Sequence, residues 1–267
     1  SSDLYPMNKK LVGFITASLP ENNFTVDLAL SMQESGVDTL ELGIPFSDPV
    51  ADGPVIEKAS LKALQNGFKL KDLFEVSAQI APKMDTLWMG YMNPYFHYGM
   101  EEFLQKGKEF NIQGSIIPDL PYEEAKAYKD VFAKYDQHLI DFVAPTDSLE
   151  RIKTITANSS KFIYMVAYAG ITGSGVKEDL TQVIENVRSC TNTPLYIGFG
   201  VDENTAKAKA KGVDGVIVGS AFVKHLIDDS LSNNEKIKNI CAIAKEIKEK
   251  IKNICAIAKE IKEKINT

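Results

Sequence analysis

Eight short runs rich in β-branched and aromatic residues, separated by longer stretches of helical periodicity, restrict this chain to a narrow set of folds. The runs are LVGFITAS (11–18), TLELGI (39–44), TLWMGYM (86–92), GSIIPDL (114–120), HLIDFVA (138–144), FIYMVAY (162–168), PLYIGFG (194–200) and GVIVGS (215–220). Regular alternation of strand and helix requires parallel pairing through right-handed crossovers, because parallel neighbours cannot be joined by a tight turn. Eight strand–helix units is the count of a closed (β/α)8 TIM barrel; a doubly wound open sheet is the structural alternative. The 267 residues match the ~250 that one barrel takes. No linker divides them, so a single domain over 1–267 is expected, with the barrel itself in 7–251. Gly36 and Gly212 each follow a helical stretch and precede Val-Asp and a strand, where a left-handed residue ends a helix.

The C-terminus carries a tandem repeat. KNICAIAKEIKEKI at 238–251 recurs unchanged at 252–265. Its isoleucines fall at helical spacing in both copies, at Ile240, Ile243, Ile247 and Ile251, then Ile254, Ile257, Ile261 and Ile265. The expected arrangement is one closing barrel helix with a duplicated helical extension; a dimerising coiled-coil arm is the alternative, although such arms want three or four heptads.

A net charge of −6 argues against nucleic acid or an anionic membrane as the main partner, and any anionic ligand would have to be held by local features. The three cysteines form no CxxC pair, which fits a reducing, cytoplasmic setting without a disulfide framework. His97, His138 and His225 are scattered, and no metal site is expected. No apolar run reaches the ~20 residues of a membrane helix, and no signal peptide is read at the start.

LELGIPFSDPVADGP (40–54) is the stretch richest in chemistry. Side chains alternate along a strand, so Leu40, Leu42 and Ile44 share the face suited to helices, while Thr39, Glu41 and Gly43 point into the barrel. Lumens are packed with bulky branched residues, and an unpaired carboxyl among them becomes costly or shifts its pKa upward. Glu41 is therefore a candidate general acid/base; a buried ion pair with Arg or Lys is the structural alternative. Pro45 ends the strand, and a loop restricted by Pro49, Gly53 and Pro54 can fold Asp52 back over Glu41. Asp48 alone reads most simply as a solvated turn residue.

This contiguous stretch resembles the LELGxPFSDPxADGP signature of tryptophan synthase α subunits, and the likeness extends from the first strand run to the helix after the eighth. The resemblance implies retro-aldol cleavage of indole-3-glycerol phosphate to indole and glyceraldehyde 3-phosphate. Glu41 would be the acid/base residue, and Asp52 would bond the indole N–H and stabilise positive charge on the ring. It matches Phe14, Tyr91 and Tyr164 to positions lining the indole and glycerol part of the pocket, although plain barrel packing would also explain such aromatics. It implies no cofactor in this chain and a partner β subunit carrying pyridoxal phosphate in an α2β2 complex. That partner would dock over the 45–54 loop, where Asp48 and Pro49 lie. The turn Ala17-Ser18-Leu19-Pro20 departs from relatives that carry Gly followed by Asp or His, and Tyr168 stands where some carry Arg or Ser.

Glycine-rich pieces follow the last three runs: Gly170 to Gly175, Gly198-Phe199-Gly200 and Gly219-Ser220-Ala221. Barrels commonly bind phosphate there, where glycine admits close backbone approach. By resemblance Gly173, Gly200, Gly219 and Ser220 are the phosphate contacts, and Thr172, on a loop expected to close as a lid, meets Asp52. No lysine falls at the C-terminal end of a strand's lumen face, which disfavours Schiff-base aldolase chemistry. Other readings are a stand-alone indole-glycerol-phosphate lyase releasing free indole, a phosphate-binding epimerase or isomerase barrel, and a non-catalytic regulatory subunit.

Overall fold

A computed structural model describes residues 8–166 and 180–265, with side chains described up to residue 252. The strands are β1 (Lys10–Thr16), β2 (Thr39–Gly43), β3 (Asp85–Met89), β4 (Gly114–Ile116), β5 (His138–Leu139), β6 (Asp141–Val143), β7 (Ile163–Val166), β8 (Leu195–Gly198) and β9 (Gly215–Val218). All pair in parallel, in the order β5-β4-β3-β2-β1-β9-β8-β7-β6. All eight runs read from sequence carry a strand.

The run at 138–144 departs from expectation by forming two strands. Its first part pairs with β4 and its second with β7, broken at Ile140, whose amide still donates to Ser115 O (3.0 Å). The reason is stagger: strands in a closed barrel tilt, so a short strand meets its two neighbours at different heights. The two ends of the sheet are thus one segment, and the sheet closes into a (β/α)8 TIM barrel.

Alternation along the strands sorts the core into two. Val12, Leu87, Ile116, Ile140, Phe162, Tyr196 and Ile217 fill the lumen as one buried cluster. Leu11, Ile15, Leu40, Leu42, Trp88, Ile163 and Val216 join the cluster that packs under the helices. Phe14, Glu41 and Leu87 are register partners across β1, β2 and β3. Gly36 (φ +102°) and Gly212 (φ +75°) take the left-handed conformation that the helix ends require.

The last helix, Asn233–Ile265, runs through both copies of the repeat. In the first copy Ile240, Ala244, Ile247 and Ile251 are wholly buried. The Lys248 ammonium donates to Lys9 O (2.9 Å) and pairs with Asp38, whose carboxylate also accepts from the Leu11 amide (2.8 Å). A Cβ on Gly36 would lie 2.9 Å from Lys248 Cγ, so glycine there admits the lysine stem. The barrel's closing helix is complete at Ile251, and the second copy continues its backbone for about 21 Å. Deleting 252–267 is expected to leave a folded, active barrel with its melting temperature within ~2 °C of the full chain. A larger fall, or loss of an oligomer on sizing chromatography, would assign the second copy a stabilising or dimerising role instead.

Candidate active site

Glu41 sits on β2 with its side chain in the lumen and is 3% exposed. Its Oε1 has no hydrogen-bond partner among the described residues, and no cation contributes to its titration. The buried ion pair considered as its structural alternative is therefore not formed there. Burial, and secondarily the nearby Asp52 charge, push the Glu41 carboxyl up from 4.5 to about 8. Beside it Gly43 leaves the space into which the Phe14 ring fits: a Cβ there would lie 2.5 Å from Phe14 Cζ. Gly198 does the same for Tyr164, whose Oη would be 2.2 Å from an added Cβ. Tyr164 packs against Phe142 at 5.3 Å between ring centroids, and its hydroxyl pKa is raised by burial and by the Glu41 and Asp52 charges.

Asp52 is half-buried on the loop between β2 and the helix Pro54–Gln65. Its amide donates to Pro49 O (2.9 Å), one of the short-range bonds that curl this loop over the strand end. Burial raises its carboxyl to about 6, opposed by a hydrogen bond from Tyr91 and reinforced by the Glu57 charge. Tyr91 also accepts the Ala51 amide at its hydroxyl (3.0 Å), and its ring stacks on Phe46 (centroids 5.2 Å apart). At 2% exposure Tyr91 stands behind the loop, outside the set of residues that line the cavity. Its hydrogen bond holds Asp52 in place at the cavity wall. Asp48 is exposed on the outer part of the loop, beside Pro49 and Val50, the latter 84% exposed.

Glu41 and Asp52 open onto one cavity of about 930 Å³ that Phe14, Tyr164, Gly200, Gly219 and Ser220 also line. Its far end is built from backbone. Phe199 (φ +75°) and Gly200 (φ +61°) turn in the left-handed region, with Lys209 donating to Phe199 O (2.7 Å) and Thr205 to Gly200 O (2.8 Å). An anion approaching this strand end meets neither carbonyl unengaged. Gly219 precedes the helix Ser220–Leu226 and lies against Ile56, 3.2 Å from where its Cβ would be. Gly219 O accepts from Phe222 and Val223, while the first-turn amides of Ser220 and Ala221 have no partner within the helix. Thr172 and Gly173, with Tyr168, lie outside the described residues.

The lysines at the opposite end of the barrel face away from this cavity. Lys9 donates to Val213 O, Lys10 pairs with Asp38 (3.4 Å) and Lys161 pairs with Asp85 (2.9 Å). Among the described residues no group of three or more His, Cys, Asp or Glu is placed to hold a metal. The sequence reading missed Phe46, which backs Tyr91, and Phe142 and Ile56, which wall the cavity. The only signal for them was their position in, or just after, runs already read as strand or loop. It also missed Lys224, four residues after Ser220 and on the cavity wall.

Comparison with known proteins covers nearly the whole chain. Residues 3–252 match the model of the family described as tryptophan synthase alpha chain, a match that ends at the first residue of the second repeat copy. The tryptophan synthase alpha chain of Wolinella succinogenes is 56% identical over 241 residues, covering 90% of this chain and 94% of the relative. That of Caldanaerobacter subterraneus subsp. tengcongensis is 42% identical, covering 90% of each. The crystal structure of tryptophan synthase subunit alpha from Legionella pneumophila superposes with a TM-score of 0.81 at 32% identity, over 92% of this chain and 93% of that one. An aminoacrylate-bound tryptophan synthase from M. tuberculosis gives 0.80 at 28% identity, over 92% and 94%.

A carboxyl whose folded pKa is raised binds its proton more tightly in the folded state, so its effect on stability worsens as pH rises. For Glu41 the loss accumulates between the unfolded value of 4.5 and about 8, then levels off. It amounts to roughly 5 kcal/mol. Glu41→Gln is expected to match the parent near pH 4.5 and to exceed it by several kcal/mol at pH 8.5, read from urea unfolding at each pH. Parallel stability curves for the two proteins across that range would show that the carboxyl is not desolvated.

Proposed function

The chain belongs to the tryptophan synthase alpha chain family, and on that premise we propose that Glu41 and Asp52 carry the family's reaction, the retro-aldol cleavage of indole-3-glycerol phosphate. The observation that carries this assignment is a buried, unpartnered carboxyl near pKa 8 sharing one cavity with a second carboxyl near pKa 6. Between those values the first is neutral and can give a proton, while the second is charged and can stabilise a cation.

The two roles fit the steps. Glu41, as the acid, protonates indole C3 and makes an iminium-like ring. Asp52 offsets the resulting positive charge and accepts a hydrogen bond from the ring N–H. Glu41, now a carboxylate, removes the proton of the C3′ hydroxyl as the C3–C3′ bond breaks and its electrons return to the ring. Indole and glyceraldehyde 3-phosphate are released with Glu41 protonated again. Phe14 and Tyr164 supply apolar surface for the indole, and Gly200, Gly219 and Ser220, with Gly173, supply donors to the phosphate.

The chain works as the lyase component of a complex with a β subunit. The pyridoxal phosphate chemistry belongs to that subunit, and this chain uses no cofactor of its own. No helix of the described residues is long and apolar enough to cross a membrane, and Cys190 and Cys241 are free thiols, in keeping with a cytoplasmic enzyme. The β subunit docks on the face where Asp48, Pro49 and the exposed Val50 stand.

The pH dependence follows from the pair. kcat/KM is expected to be bell-shaped, rising as Asp52 ionises near 6 and falling as Glu41 loses its proton near 8. Asp52→Asn should be slow and should lose the acidic limb. Its alkaline limb should move to lower pH, because the Asp52 charge no longer raises Glu41. Glu41→Gln should lose about 10²- to 10⁴-fold in turnover while still binding substrate. A Gln variant with more than about a tenth of the parent rate would remove Glu41 from the proton transfers.

A partner assay separates the loop's outer and inner residues. Asp48→Ala is expected to cleave indole-3-glycerol phosphate alone at nearly the parent rate but to be activated less by saturating β subunit. Equal activation of both proteins would take Asp48 out of the interface. Absence of any activation of the parent would favour a stand-alone lyase.

A further inference from the structure

We propose that Lys224 supplies the positive charge that binds the substrate's phosphate, a role that rests on placing the phosphate at Gly200, Gly219 and Ser220. Lys224 lies one turn after Ser220 on the helix Ser220–Leu226, so the two side chains emerge on one face, and both line the cavity. It is the cavity's only lysine among the described residues.

The charge is needed. A phosphate monoester is close to a dianion at neutral pH. The protein it approaches carries a net charge of −6, and the cavity wall itself includes Asp52, Asp141, Asp147 and Asp202. Backbone amides orient an anion but add only partial charges against that field. The other cation on the wall, Arg151, is already neutralised: it pairs with Glu123 (2.6 Å) and with Asp147 (3.1 Å). Asp141 is likewise paired with Lys129 (2.6 Å).

Lys224 differs. It makes no hydrogen bond or ion pair among the described residues, and its electrostatic neighbours are Asp202 and His225. Asp202 is the nearer carboxylate, but it makes no ion pair with the lysine and is held in its own turn through Oδ1. That oxygen accepts from the Asn204 amide (2.9 Å), the Thr205 amide (2.8 Å) and the Thr205 hydroxyl (2.9 Å). The ammonium is left on a flexible, exposed stem next to the helix start, able to close on a phosphate as a point charge. A solvated surface lysine is the plain alternative, and ligand selectivity distinguishes the two.

The test compares the parent with Lys224→Met, Lys224→Arg and Gly219→Asp. KM and kcat are measured for indole-3-glycerol phosphate, and binding is measured for glycerol 3-phosphate, inorganic phosphate and indole. In Lys224→Met, KM and both phosphate affinities should weaken about tenfold, which is 1.4 kcal/mol. kcat should change far less, indole should bind as before, and added salt should raise KM less than in the parent. Lys224→Arg should recover most of the loss. Unchanged phosphate affinity in Lys224→Met overturns the proposal, and so does an equal loss for indole, which would mark a structural role. Gly219→Asp isolates the underlying assignment. If it too leaves glycerol 3-phosphate binding intact, the phosphate site lies elsewhere. If it weakens binding while Lys224→Met does not, only the lysine's part is wrong.

Discussion

Neutrality of the Glu41 carboxyl near pH 7 depends on keeping water and cations away from it, and most of the barrel's upper half serves that condition. Below it the lumen is plugged by Val12, Leu87, Ile116, Ile140, Phe162, Tyr196 and Ile217. Beside it Phe14 and Tyr164 occupy volume that Gly43 and Gly198 leave open. A methyl group at either glycine would collide with a ring, so the apolar wall and the small residues specify each other. The carboxyl's desolvation works against folding, and the two large apolar clusters offset it.

The cavity is graded in polarity along its length. At one end a carboxyl pair sits among aromatic rings, suited to a flat apolar group that acquires positive charge. At the other end, where we place the phosphate, the wall turns to glycine backbone and Lys224, with Asp202 nearby. These requirements are opposed, since a cation near Glu41 would ionise it and a carboxylate near the helix start would repel phosphate. Separate strands reconcile them: β2 and its loop provide the acids, while β8 and β9 provide the anion end.

Much of this was readable from residues in order, and what was not depended on distance along the chain. The alternation in Thr39–Gly43 placed Glu41 inward because strand geometry is local. Gly36 and Gly212 announced helix ends for the same reason. The loop 45–54 was recognisable as a unit, and Asp48 and Asp52 fall on its outer and inner sides. Tyr91 was harder: its hydroxyl meets Ala51 across 40 positions of sequence, and an aromatic after a strand reads equally well as pocket wall or as strut. The break at Ile140 has no compositional mark, because it arises from barrel stagger and not from the residue itself. Lys224 is one of 30 basic residues, and only its place beside Ser220 on a folded helix distinguishes it.

The bolt between Lys248, Lys9 and Asp38 joins positions 239 apart in sequence, at the seam where β1 meets β9. A chain emerging from the ribosome can assemble neighbouring strand–helix units early, since each needs only local contacts. It cannot shut the ring. Until β9 and the first copy of the repeat have been made, β1 has one free edge, and its Lys9 carbonyl and the Asp38 carboxylate wait for a partner encoded near the end of the message. During synthesis the molecule is an open, curling sheet with an exposed strand, the form most prone to pairing with the wrong neighbour.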